Sequence, residues 1–225
     1  MGLPGTGPGV AALALLFSLA AAPLADAAAK VIRGTNGPDQ LLGTAQHDEI
    51  HARGGTDQVL ARGGRDEVFA GAGSDAVSGG AQADVLFGNA GTDLLRGQHG
   101  RDAMRGGPGA DLLSGGKGND IVGSPLKDVG GAGADTLRGG PGGDVVVGGK
   151  GADLVRGGGG MDDLIPGPGR DVAYGGLGDD TAFMGAPDDS RDIIRCGAGS
   201  DTIRYMNAVD PRDAIASCET VVVSH

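Results

Sequence analysis

The sequence predicts an all-β solenoid of nine-residue repeats, and three ranks of residues held in one phase predict it. Aspartate stands at 39, 48, 57, 66, 75, 84, 93, 102, 111 and 120, then at 135, 144, 153, 162, 171 and 180, and again at 192 and 201. Two residues after each Asp an aliphatic residue follows in most repeats, among them Leu41, Ile50, Val59, Val68, Leu86, Leu113, Leu137, Val155, Leu164, Ile194 and Ile203, while Ala173 and Ala182 fall short. A third rank is glycine, and seven windows carry G-G-x-G-x-D in full: Gly106–Asp111, Gly115–Asp120, Gly130–Asp135, Gly139–Asp144, Gly148–Asp153, Gly157–Asp162 and Gly175–Asp180.

Each rank has a physical reason. Glycines at the first, second and fourth places supply the positive φ or crowded backbone of a tight turn without a Cβ penalty. Three residues around the aliphatic place suffice for a short strand, whose middle side chain points in and whose neighbours point out. The outward places then hold Arg96, Arg105, Arg138, Arg156, Arg195 and Arg204, three residues after an Asp, as a solvated face.

Composition agrees with a thin, periodic structure. The 225 residues include Gly 48, aromatics at 3% and no Trp, which excludes a thick globular core. Glycine and proline at this level signal disorder unless a strict period is present, as it is here. The formal charge is −11, and Glu49, Glu67 and Glu219 are the only glutamates. That selectivity favours a short carboxylate fixed in a turn over a general acidic surface, and the acidity argues against nucleic acid or an anionic membrane as partner.

Residues 1–29 read as a secretory signal peptide. An apolar run from Val10 to Ala22, too short for a membrane span, leads to Pro23, Leu24 and a small-residue string ending at Ala29. Cleavage after Ala27 or Ala29 fits the A-x-A rule, although no Lys or Arg precedes the run. The mature chain is therefore expected to be secreted, outside the cell and without a membrane span. Cys196 and Cys218, an even count in an exported chain, read as one disulfide contributing about 3 kcal/mol.

From residue 34 to 204 the pattern G-G-x-G-x-D-x-U-x resembles the repeats-in-toxin, or hemolysin-type, calcium-binding nonapeptide. The resemblance implies a parallel β-roll over residues 30–204, in which G-G-x-G-x-D is a turn, x-U-x a strand, and two repeats complete one coil. Successive Asp residues then alternate between two edges, and each of several Ca²⁺ ions sits between turns two repeats apart. It implies metal ligands at Asp75, Asp84, Asp93, Asp102, Asp111, Asp120, Asp135, Asp144, Asp153, Asp162, Asp171 and Asp180. It adds the turn backbones of Gly106, Gly107 and Gly109; Gly115, Gly116 and Gly118; Gly130, Gly131 and Gly133; Gly139, Gly140 and Gly142; Gly148, Gly149 and Gly151; Gly157, Gly158 and Gly160; and Gly175, Gly176 and Gly178.

Elementary energetics point to the same ion. Burying one aliphatic side chain contributes about 1.5–3 kcal/mol, while fixing nine backbones costs about 1–2 kcal/mol each. Asp residues 18 apart stack on coils about 4.8 Å apart, where two carboxylates repel by about 3–4 kcal/mol at an effective dielectric near 20. A divalent cation reverses that sign. The donors on offer are hard oxygens in a roomy turn, which suit Ca²⁺ better than Mg²⁺, and the repeats lack the His or Cys that Zn²⁺ prefers. The chain is accordingly expected to be disordered without calcium and to fold on export.

Departures from the pattern set further expectations. Ala52-Arg53 and Ala61-Arg62 stand where Gly-Gly belongs, and Gln46 and Gln82 replace the fourth-place glycine, so binding is expected to be tighter between Asp93 and Asp180 than before Asp75. Six extra residues around Ser124-Pro125-Leu126-Lys127-Asp128 are expected to bulge from one corner, and three more make Pro187–Asp192 a poor turn. Residues 205–225 read as a cap, with Asp213 and Ile215 faintly in phase and Val221-Val222-Val223 as a last strand.

No enzyme is expected. His47-Asp48-Glu49-Ile50-His51 has the wrong order for the zinc motif H-E-x-x-H, and the many G-x-G-x-x-G strings sit in no βαβ unit. No G-x-S-x-G is present, and the mature chain enters the repeat almost at once. Two classes compete: a calcium-binding protein as such, and a calcium-rigidified module that holds a cell-envelope polysaccharide. The outward places lack a rank of aromatics, which favours no particular sugar, and they lack the threonine rank of an ice binder.

Overall fold

The computed structural model describes residues 29–123, 133–185, 188, 190–206 and 208–224. The expected signal peptide up to residue 28, the insertion at 124–128, Gly130, Gly131, Pro187 and Asp189 lie outside the described residues. Within them the chain forms 21 strands and no helix. Successive strands alternate between two parallel sheets, one of eleven strands and one of ten. No helix among the described residues is long and apolar enough to cross a membrane. The molecule is a parallel β-solenoid in which two repeats make one coil, as the nine-residue phase demands.

Register follows the repeat. Ile50 in strand Glu49–His51 lies beside Ile32 and Val68, and Val59 in strand Gln58–Gly63 lies beside Leu41 and Val77. The inward aliphatic places make one file per sheet, and Ile50, Leu86, Leu95, Leu113, Val122, Leu137 and Ile203 are fully buried. The stack also closes over both insertions. Leu113 pairs with Leu137 and Ala173 with Ile194, because each coil touches only its neighbours and extra residues can leave at a corner.

Two expectations are corrected. Strands were expected to span three residues, as Ala103–Arg105 does, but Gln58–Gly63, Leu112–Lys117 and Leu154–Gly159 each span six. The extra residues occupy the first three turn places, whose backbone stays in register with the next coil, as Gly116 and Lys117 do with Gln98 and His99. The outward places also carry a short aromatic rank: the rings of His51, Phe69 and Phe87 stack with centroids 4.9 and 5.0 Å apart. These residues are 18 apart in sequence and become neighbours only through the coil.

The C-terminal segment continues the stack. Strand Ala214–Ala216 extends one sheet beside Ile193–Ala198, and Thr220–Ser224 extends the other beside Thr202–Met206. A disulfide joins Cys196 to Cys218 with their Cα atoms 5.1 Å apart. Tying the last coil to its predecessor restricts fraying where a neighbour is missing on one side. Replacing both cysteines by Ser should lower the stability of the folded protein by about 3 kcal/mol. Hydrogen exchange should show the loss concentrated after residue 192; an unaltered melting curve would contradict this role.

Candidate metal centre

The regular aspartates face inward. Every one from Asp48 to Asp201 is buried, at no more than 6% exposure. One carboxylate oxygen of each is held by main chain, since the amide N–H of one Asp donates to Oδ1 of the Asp one coil later. Along one edge this runs from Lys30 N to Asp48 and on through Asp66, Asp84, Asp102, Asp120, Asp144, Asp162 and Asp180 to Asp201, at 2.7–2.9 Å. Along the other it runs from Asp39 N to Asp57 and on through Asp75, Asp93, Asp111, Asp135, Asp153 and Asp171 to Asp192 and Asp213, at 2.8–3.0 Å.

The second oxygen is left over. Oδ2 of Asp57, Asp66, Asp75, Asp84, Asp93, Asp102, Asp111, Asp120, Asp144, Asp153, Asp162, Asp171, Asp180 and Asp201 is buried without a hydrogen-bond partner. An unpaired carboxylate oxygen out of water is costly, and a row of them needs a compensating charge. The first-place glycine exists to make this room. A Cβ on Gly88 would lie 2.5 Å from Asp93 Oδ2 and 2.6 Å from the Gly106 carbonyl oxygen, so a carboxylate and a carbonyl of the next coil crowd the same spot. The fourth-place glycines serve the backbone instead: Gly109 has φ 145° and lies so near the Gly91 carbonyl that no Cβ fits.

Burial holds these acids in an unusual range. It pushes Asp171 up to about 8, Asp84, Asp111 and Asp162 to about 7, and Asp93, Asp102, Asp144, Asp153 and Asp180 to about 6. Asp75, Asp120 and Asp135 are raised for the same reason. In each case the amide of the neighbouring coil acts against the shift. The expectation that mutual repulsion dominates is thereby corrected: loss of water is the first cause, and the charge of the stacked carboxylates ranks behind it.

A hard divalent cation fits this donor set. All the atoms that converge are carboxylate and carbonyl oxygens, the chemistry of Ca²⁺. Among the described residues no three His, Cys, Asp or Glu side chains form a metal-holding group. An ion held here therefore takes few carboxylates from each turn and most of its ligands from main chain.

Both ends of the stack differ from its middle. Thr35 and Thr44 occupy the second turn place, and their amides donate to Oδ2 of Asp39 and Asp48 at 2.6 and 2.5 Å. Their hydroxyls add bonds of 3.0 and 3.2 Å to the same carboxylates. At the other end Tyr205, buried at the first turn place, donates its hydroxyl to Asp213 Oδ2 at 3.0 Å, and Glu219 takes the regular Asp place, accepting from Asp201 N at 2.7 Å. Thr35, Thr44 and Tyr205 thus supply at the caps the donors that the Oδ2 atoms of the middle lack.

The twelve aspartates expected as ligands all lie in the two ladders. Their first-place glycines Gly106, Gly115, Gly139, Gly148, Gly157 and Gly175 each border the carboxylate of their own turn, while Gly107, Gly116, Gly140, Gly149, Gly158 and Gly176 have positive φ at the second place. Eleven of the twelve, all but Asp135, keep a buried Oδ2 without a partner, and so do Asp57, Asp66 and Asp201, which sequence reasoning left out. The strain expected at Arg53 and Arg62 is present, at φ 80° and 85°, but the Asp of each turn keeps the common arrangement. A Thr one place after the first glycine was the signal that separated Asp39 and Asp48, and it was overlooked.

Residues 33–68, 62–95, 69–104, 97–123, 129–164 and 156–186 match the family model described as the RTX calcium-binding nonapeptide repeat. No curated protein matches the chain.

Two outcomes are expected. Because folding raises these pKa values, the neutral acids favour the folded state; that contribution is complete below about 4 and is lost as pH rises through about 6 to 8. In EDTA the protein should therefore gain β-structure by circular dichroism when taken from about pH 8 to pH 5, and its calcium midpoint should move to higher concentration over the same range. A calcium-free spectrum independent of pH would oppose this. Asp153→Asn should reduce calcium uptake in calorimetry, whereas Asp39→Asn should leave it at the parent value; equal loss in both would contradict the distinction between middle and cap.

Proposed function

Since the chain belongs to the RTX calcium-binding nonapeptide repeat family, we propose that it is a secreted protein whose repeats fold into the β-roll as they take up calcium. The observation that carries this reading is the double file of buried, unpaired aspartate oxygens. Without a cation each of them opposes folding, and with one each becomes a ligand, so the ion contributes directly to the stability of the roll. The proposed ligands are the aspartates from Asp75 to Asp180, joined by Asp57, Asp66 and Asp201, together with carbonyls of the adjoining glycine turns.

The proposed organisation is a leader over residues 1–29, a calcium-binding roll over 30–204 and a cap over 205–225. Affinity in the range of about 10⁻⁴–10⁻³ M, typical of extracellular modules, keeps such sites empty in a cytosol and fills them outside the cell. Folding is then coupled to export, and the role of the protein is to bind calcium and hold a rigid shape, with no catalytic step.

Titration with CaCl₂ tests this. A disordered spectrum in EDTA should convert cooperatively to a β-spectrum near millimolar calcium, with matching heat in calorimetry. A protein already β-rich in EDTA, taking up no calcium, would overturn the reading.

A further inference from the structure

Of the 29 acidic residues 18 are buried aspartates, while no described Lys or Arg is buried. Among the described residues outside that interior Lys and Arg outnumber Asp and Glu by 17 to 8. The net charge of −11 therefore describes the chain and not its surface. Each bound divalent ion cancels two interior charges, and the field that remains outside is that of the exposed bases.

Those bases are not spread evenly. On the outer face of the ten-stranded sheet no strand place holds an acidic residue, whereas the other outer face carries Glu49, Glu67 and Asp163. The acid-free face carries Arg96, Ser114, Arg138, Arg156, Tyr174 and Arg195 in one file, one residue per coil, fixed by the strand register. Coils are about 4.8 Å apart. Arg156 and Arg195 lie over the Tyr174 ring, 5.4 and 5.5 Å from its centroid, and Arg195 also donates to the Tyr174 hydroxyl at 2.9 Å. No ion pair among the described residues engages any of the four arginines. Stacked like charges destabilise a sheet, so this file lacks its counter-charge.

We infer that the calcium-loaded roll binds a linear acidic polysaccharide along this arginine file. Guanidinium forks match carboxylates, and the four arginines, two, one and two coils apart in a rigid single file one residue wide, fit one extended polymer chain. The companion outward file of Leu94, Leu112, Thr136, Leu154, Val172 and Ile193 is aliphatic but for Thr136 and mostly half-buried, so it offers a flat bed for sugar rings and little that could insert into a bilayer. Tyr174 is the file's one aromatic ring, too few for stacking successive bases of a nucleic acid. The inference rests on the calcium reading above, because an unfolded chain has no file and keeps its interior charge.

The test uses the full mature chain and hyaluronan, a carboxylate polymer, with neutral dextran, single-stranded DNA and anionic phospholipid vesicles beside it. In calcium the protein should bind hyaluronan and move toward the cathode relative to the EDTA sample on native electrophoresis. Arg138→Gln with Arg156→Gln should weaken binding by about tenfold and flatten its salt dependence, while Arg105→Gln with Arg204→Gln on the opposite face should not. Equal binding by both double variants, no binding by the parent, or tighter binding to DNA or vesicles overturns the inference. Calorimetry on the same samples separates the two levels: calcium uptake without polymer binding sinks this inference alone, and no calcium uptake sinks both.

Discussion

The aspartate carboxylate shared between two coils governs this molecule. One oxygen closes a hydrogen bond with the amide of the coil before it, and the other stays buried without a partner. The first bond fixes register, because it forms only when Asp residues two repeats apart are stacked. The second oxygen finds no hydrogen-bond donor among the described residues. The aliphatic file is thin, with one large inward side chain per sheet in most coils and small additions such as Ala52, Ala61 and Ala70.

The glycine ranks follow from the same carboxylate. In the last coil Tyr205 fills the first place and turns its hydroxyl to Asp213, whereas Gly34 and Gly43 keep that place beside the threonine-held Asp39 and Asp48. Where Ala52, Ala61 and Ala70 stand at the first place, the methyl groups enter the core and the acid keeps its free oxygen. The space beside the carboxylate thus admits one carbon in some turns, so an incomplete glycine pattern is a weaker sign of a lost site than its appearance in the sequence suggests.

Architecture was legible because a solenoid repeats its local rule: the Asp phase, the aliphatic phase and the glycine places each specify the same coil. The candidate site was legible in outline, down to which acids lie on which edge. Three features escaped. Thr35 and Thr44 look like ordinary substitutions until their amides are seen on Asp39 and Asp48, and Glu219 keeps the phase 18 residues after Asp201 but with a longer acid in the Asp place. The dominance of burial over repulsion could not be read from spacing, which gives distances between charges but not their access to water. The surface charge was misread for that reason too: composition counts the acids without saying that most of them face inward.

The ladders also have a direction. Every amide points toward the later coil and every carboxylate toward the earlier one, so the two extremities of the stack are chemically unlike. At the beginning a carboxylate edge faces out, held locally by threonine; at the finish the Asp213 amide turns back to the Asp210 carbonyl. Two molecules meeting extremity to extremity can prolong the ladders only nose to tail, a heterologous contact that does not close on itself and grows into a filament. The Asp210 carbonyl, by taking the Asp213 amide, leaves that ladder's last donor engaged within its own coil.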